Sequence, residues 1–268
     1  MQTRFAITKP DQQRVVASAL VLLGASGLWL ALIAWMNGHG VHGAETCLGL
    51  TPLHVAEHAG MWMVMMAAMM LPAAAPAVSM YASLVARDPE TDSAGLRTAS
   101  FVAGYVIVWS LVSLGFAAAQ IVLGRSGVFG QGGTLAGPLG AGFLLLAAGL
   151  YELTNLKQAC LTRCRNPMTF FIARWREGAR GALDLGLRHG VHCVGCCIAM
   201  MGLMFVFGAM NVVWMALLTV YFVAEKIVPG AATLSRHAGL ILAGAGVLVI
   251  ASVAAGLWPA GGLAISMI

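Results

Sequence analysis

Cys160 and Cys164 stand one helical turn apart. Further along, Cys193, Cys196 and Cys197 fall in the stretch His189-Gly-Val-His192-Cys193-Val-Gly-Cys196-Cys197. On a helix Cys193 and Cys197 share a face, as do His192 and Cys196, and Cys193 neighbours Cys196. Two such segments facing each other would bring several sulfurs to one point. Thiolate and imidazole in that arrangement suit Cu(I) first and Zn second. Lys157, Arg163 and Arg188 stand near enough in sequence to help hold the thiols ionised. A lone cysteine in an apolar helix is usually only a small buried residue; five in two short segments with two histidines point to ligation. Cys193-x-x-Cys196 is also the spacing of an exchanging dithiol, so redox chemistry stays open on the same residues.

A second set of soft atoms lies in the run Met61-Trp-Met63-Val-Met65-Met66-Ala-Ala-Met69-Met70. Met61, Met65 and Met69 recur every four residues and form one helical stripe, which extends outward through His58 and His54. His58 to Met70 covers ~18 Å of helix. The loop before it adds His39, His42, Glu45 and Cys47, and Met200, Met201 and Met204 follow the second cysteine group. Thioethers favour Cu(I) over hard cations, although a methionine stripe is more often core filling than ligation. Pro72 and Pro76 are expected to bend the helix and free carbonyls. Glu152, Glu225 and Lys226 are ionisable residues in apolar surroundings, hence candidates for function; Lys226 could instead snorkel to an interface.

The elements that must position these residues follow from composition. Of 268 residues 60% are hydrophobic and only 9% charged, with a mean hydropathy of +0.86. A soluble domain carries about a quarter charged residues. Long apolar runs rich in Leu, Ala and Val imply an all-α, polytopic membrane protein, because in lipid each helix satisfies its own backbone. Seven spans are expected: Val15–Met36, Ala56–Val85, Thr98–Leu123, Pro138–Leu156, Val191–Phe207, Val212–Val228 and Ala238–Trp258. The first is longer than the ~7–15-residue apolar region of a signal peptide, so it is read as a retained helix. The chain then divides into an N-terminal cytoplasmic segment 1–14, one transmembrane domain 15–258 and an outer tail 259–268.

The net charge of +5 points here to topology and anionic lipid, not to nucleic acid. With the N-terminus inside and the C-terminus outside, every one of the 15 Lys and Arg except Arg125 lies on the inner side. That partition puts the cysteines, Glu152 and Glu225 at the inner face of the cytoplasmic membrane and the methionines above them. Residues 167–188, with Phe171, Trp175, Ala179 and Leu183 near one face and Arg174, Arg176 and Arg180 elsewhere, read as an amphipathic helix on inner-leaflet lipid.

The methionine run ending in Leu71-Pro72 is one of several stretches that together resemble a known family. The others are Gly104-Tyr105 with Trp109, Tyr151-Glu152-Leu153-Thr154, Leu156-Lys157, Cys160-Leu161, Cys164-Arg165 and Pro167. Cys193-Val-Gly-Cys196-Cys197, Met210-Asn211 with Trp214-Met215, and Glu225-Lys226 complete the set. They resemble an uncharacterised family of predicted metal-binding integral membrane proteins, over most of the chain from Met61 to Pro229. The resemblance implies a helical membrane fold and a metal site, and carries no reaction. Its pattern often has an aromatic at the place of His192 and glutamine at that of Glu152, which puts more weight on the cysteines.

The expected function is therefore binding or movement of copper(I) through Met, His and Cys ligands, with a thiolate site at the inner face. A non-enzymatic role is expected ahead of a catalytic one. The alternatives are a membrane thiol-disulfide oxidoreductase and an accessory subunit of a larger membrane complex, through a membrane-protein partner or a second copy. Haem is disfavoured, since no c-type attachment motif is present.

Overall fold

The computed structural model describes residues 9–39, 52–87, 94–125, 137–208 and 211–257. All regular structure among the described residues is helical: α1 (Lys9–His39), α2 (Pro52–Val85), α3 (Ala94–Arg125), α4 (Pro138–Glu152), α5 (Asn155–Arg165), α6 (Pro167–Ala173), α7 (Gly178–Gly202), α8 (Met204–Phe207), α9 (Val212–Ile227) and α10 (Ala231–Ala254). Among the described residues, five stretches are long and apolar enough to cross a membrane: Asp11–Asn37, Val55–Val85, Ala94–Arg125, Gly178–Phe207 and Ala231–Ala254. The pair α4 and α5, bent by 61°, makes a sixth if it counts as one broken span. His42, Glu45, Cys47, Met210, the ends 1–8 and 258–268, and the side chains of His39 and His54 lie outside the described residues.

The seven expected spans and the helices differ for physical reasons. The apolar run of span four continues to Leu156, but α4 stops at Glu152, because Thr154 caps a new helix: its hydroxyl accepts from the Lys157 N–H at 3.3 Å. At 15 residues α4 covers only ~22 Å. Asn211 starts α9 in the same way, its side chain accepting from the Trp214 N–H at 3.0 Å, and α9 has 16 residues. These short helices separate the observed five or six spans from the expected seven. The expected amphipathic helix over 167–188 is not one element. The chain forms the short α6, breaks over Arg174 to Glu177, and enters α7, which continues unbroken through the cysteines. Its glycines, which suggest a loop in isolation, serve a close helix crossing instead. A Cβ built on Gly186 would fall on the Phe101 carbonyl oxygen of α3, and one on Gly104 would meet the Leu187 nitrogen at 2.8 Å.

α3 lies along α7, α4 along α10 and α1 along α2, while α2 also packs on α3 and α9. Leu23, Leu30, Leu111, Ile241 and Leu248 point outward from these helices, and Trp62, Met65, Met66, Met69 and Met70 point inward. Large apolar groups thus cover the outer surface, as a bilayer requires and water does not. Despite Pro72 and Pro76, α2 is one continuous helix. Pro72 cannot bond back to the Ala68 carbonyl, and the Trp29 indole N–H of α1 fills that vacancy at 3.2 Å.

Gly186→Ala is expected to lower stability by about 1–3 kcal/mol through overpacking. Gly244→Ala, where a Cβ meets nothing within 4 Å, should not destabilise. Thermal unfolding of the detergent-solubilised protein reads the difference.

Candidate metal centre

Cys193, Cys196 and Cys197 sit on the inward face of α7, fully buried, with their three sulfurs all within 4.8 Å of one another. Cys196 Sγ lies 3.3 Å from Cys197 Sγ and 3.9 Å from Cys164 Sγ on α5, so the two cysteine groups do converge. Cys160 is half-buried beside them: a Cβ added to Gly195 would stand 2.7 Å from its sulfur. Gly195 therefore leaves the room in which α5 seats a sulfur against α7. None of the five cysteines is in a disulfide.

Cys193 is the best supported of the set. The Lys226 ammonium donates to its sulfur at 3.0 Å, and the Tyr105 hydroxyl lies 3.2 Å away. Tyr105 also reaches the Met70 carbonyl at 3.1 Å, tying the methionine helix to the thiols through α3. A buried ammonium against a sulfur favours the thiolate, the form that ligates metal. Lys226 was not among the cations expected to play this part. Of those, Lys157 is taken up by carboxylates, Arg188 by Asp184 at 2.9 Å, and Arg163 by His192 Nε2 at 3.1 Å.

The histidines have partners other than the sulfurs. His189 is buried in an aromatic cage, its ring centroid 5.8–6.4 Å from those of Phe101, Tyr105, Phe170 and Phe171. His192 is half-buried, with Phe170 edge-on at 5.5 Å. Neither belongs to the group of sulfurs that could share an ion. His58 is half-buried at the N-terminal end of the methionine stripe, with no hydrogen-bond partner at Nε2. Met61, Met65, Met69, Met200 and Met204 are all buried in the same core as the cysteines. Tyr105 of α3 links α2 to α7, and the Trp62–Phe205 ring contact at 5.7 Å links α2 to α8. A cavity of about 160 Å³ between α1, α2 and α3 is lined by Met63, Met70, Tyr105 and Trp109, among mainly apolar side chains.

Beside the thiols lies a buried ionic cluster. Lys157 on α5 contacts Glu152 of α4 and Glu225 of α9, the latter at 2.6 Å. The Tyr221 hydroxyl lies within hydrogen-bond reach of both carboxyls, and the Ser235 hydroxyl donates to Glu225. Glu152 and Glu225 stood out in the sequence as ionisable groups in apolar runs; Tyr221 and Ser235 carried no signal there, because only the fold brings α9 and α10 to the α4–α5 break. Two consecutive-residue pairs join this cluster to the thiols. Glu152 faces Lys157 while Tyr151 donates to the Gly195 carbonyl at 2.5 Å; Glu225 faces Lys157 while Lys226 faces Cys193.

A family model described as PpoB2, copper chaperone, matches residues 59–249, which is most of the chain and includes the whole centre. No curated protein and no solved structure matches the chain. The sulfurs fit the metal that this description implies: four lie close together, buried, with a cation beside them.

Removing the ammonium from the ionic cluster would leave its buried carboxyl groups without their compensating cation. Lys157→Met should therefore cost about 3–5 kcal/mol. Adding Glu152→Gln and Glu225→Gln to it should restore most of that loss, read by thermal unfolding in detergent.

Proposed function

The chain belongs to the PpoB2 copper chaperone family, and from that premise we propose that it is a multi-pass protein of the cytoplasmic membrane that receives Cu(I) and holds it for transfer. Cys193, Cys196, Cys197 and Cys164 are its ligands, and Cys160, half-exposed at the edge, is the sulfur through which the ion enters or leaves the cluster. The carrying observation is the convergence of three buried sulfurs within 4.8 Å. Soft thiolates select Cu(I) from the hard cations of the cell, and a dry site protects it from oxidation.

The path to this centre, in our reading, runs along the methionines of α2. Met61, Met65 and Met69 offer thioethers in sequence, Met70 ends the run beside Tyr105, and Tyr105 abuts Cys193. Met200 and Met204 contribute from the side of α7 and α8. His54 and His58 would collect the ion at the outer end, where Zn could also bind, whereas His189 and His192 act in packing. The topology that best supports this direction has seven crossings, with α4–α5 and α9 as short ones. It leaves Arg125 alone outside and places the thiols at the inner face. Arg163, Arg174 and Arg180 would then meet anionic headgroups or an acidic partner that takes the metal.

A second reading rests on Cys193 itself. A sulfur touched by an ammonium, with a second cysteine three residues on, is also the arrangement of a thiol-exchange pair. The two readings separate in one preparation. Purified anaerobically with Cu(I), the protein should retain copper against a competing chelator. Cys193→Ser, Cys196→Ser and Cys197→Ser should each lower the affinity by at least about tenfold, or ~1.4 kcal/mol, with Met65→Leu and Met69→Leu slowing uptake and leaving affinity unchanged. No retained copper, together with a Cys193–Cys196 disulfide trapped by alkylation, would replace copper binding with thiol exchange.

A further inference from the structure

The ionic cluster is short of a proton. Two carboxyl groups face one ammonium, and Glu152, Lys157 and Glu225 are 0, 0 and 1% exposed, where an uncompensated charge is costly. Hydrogen-bond accounting gives the same answer independently. The Tyr221 oxygen lies 2.9 Å from Glu152 Oε2 and 2.6 Å from Glu225 Oε1. A phenol has one hydrogen to donate, so it can serve only one of these contacts. The other is a hydrogen bond only if the carboxyl group carries the proton. Lys157 reaches both acids, but Glu225 Oε1 also has the Ser235 hydroxyl at 2.5 Å, so Glu225 is the more fully paired and Glu152 is the natural donor. The remaining oxygens, Glu152 Oε1 and Glu225 Oε2, are buried without any hydrogen-bond partner. A doubly ionised pair could not tolerate that.

We propose that Glu152, Tyr221 and Glu225 form a proton-binding relay, distinct from the thiols, that carries one exchangeable proton between α4 and α9. Its transfer is balanced. Glu152 gives its proton to the Tyr221 oxygen as Tyr221 gives its own to Glu225, so the phenol is unchanged and the carboxyl proton has moved. Lys157 from α5 holds both acids in place and Ser235 from α10 holds Glu225; among the described residues the cluster's one ammonium is Lys157, and the next cation on α9, Lys226, is turned to Cys193. The connections through Tyr151 to Gly195 and from Glu225 to Lys226 make this proton site sensitive to the charge on the thiols. This linkage, unlike the relay, rests on the copper reading above.

Infrared spectroscopy of the full chain in lipid bilayers, free of metal, reads the proton directly. A protonated-carboxyl C=O band that shifts in D₂O is expected at neutral pH. It should vanish in both Glu152→Gln and Glu225→Gln, each of which leaves one carboxylate to one ammonium, and shift in position in Tyr221→Phe. A wild-type spectrum without the band overturns the relay whether or not the variants fold, and so does a band that persists in both glutamine variants. Loading the wild type with Cu(I) should shift the pH at which the band is lost. An unmoved midpoint in protein that has taken up copper overturns the linkage. Failure to take up copper refutes the thiol site instead, and the metal-free band still decides the relay.

Discussion

Lys157, sealed from solvent between Glu152 and Glu225, is the contact on which the other features of the centre depend. Burying an ammonium and two carboxyls costs several kcal/mol per ion before any attraction is counted, so the cluster exists only because four helices deliver their groups to it at once. Glu152 closes α4, Lys157 lies in the first turn of α5, Glu225 lies in the last turn of α9 and Ser235 lies one turn into α10. Fixing these ends fixes the thiols, because the next residues along the chain reach them. Tyr151 holds the α7 backbone at Gly195, and Lys226 holds the Cys193 sulfur. Thr154 sharpens the arrangement by ending one helix and capping the next within a few residues, which turns α5 away from α4 and onto α7.

The helical class, the long apolar stretches and the burial of the α2 methionines were legible in composition and period. So was the meeting of the two cysteine groups, since five thiols in two short segments left few other roles. The break at Leu153-Thr154 was hidden because hydropathy runs straight through it and only the cap marks it. The division of residues 167–188 between α6 and α7 was hidden for a related reason. Glycines there look like loop formers until α3 is seen pressed against them. The cation beside the thiols was misplaced in sequence, since proximity along the chain favoured Lys157, Arg163 and Arg188, whereas the fold brings Lys226 from a helix 33 residues away. His189 and His192 have surroundings that the sequence did not reveal: aromatic rings pack around the first, and Arg163 and Phe170 meet the second.

The chemistry of the centre follows from dryness and softness together. Sulfurs closed off from water offer Cu(I) a strong field of polarizable donors and deny it the oxygen ligands that would favour other metals. The ammonium on Cys193 allows one sulfur to ionise without leaving a bare charge in the interior. In the proposed path, neutral thioethers along α2 would hold the ion less firmly than thiolates, which lets it move on from them. In this account the protein's specificity is built into the donor atoms, and the charged cluster alongside supplies rigidity.

The claim that copper rests on thiolate sulfur is tested most directly by X-ray absorption at the copper edge on Cu(I)-loaded protein in bilayers. The account predicts an edge characteristic of Cu(I) and a first shell composed of sulfur alone. A shell containing nitrogen, with the outer scattering of imidazole rings, would contradict it and move the resting site to the histidines.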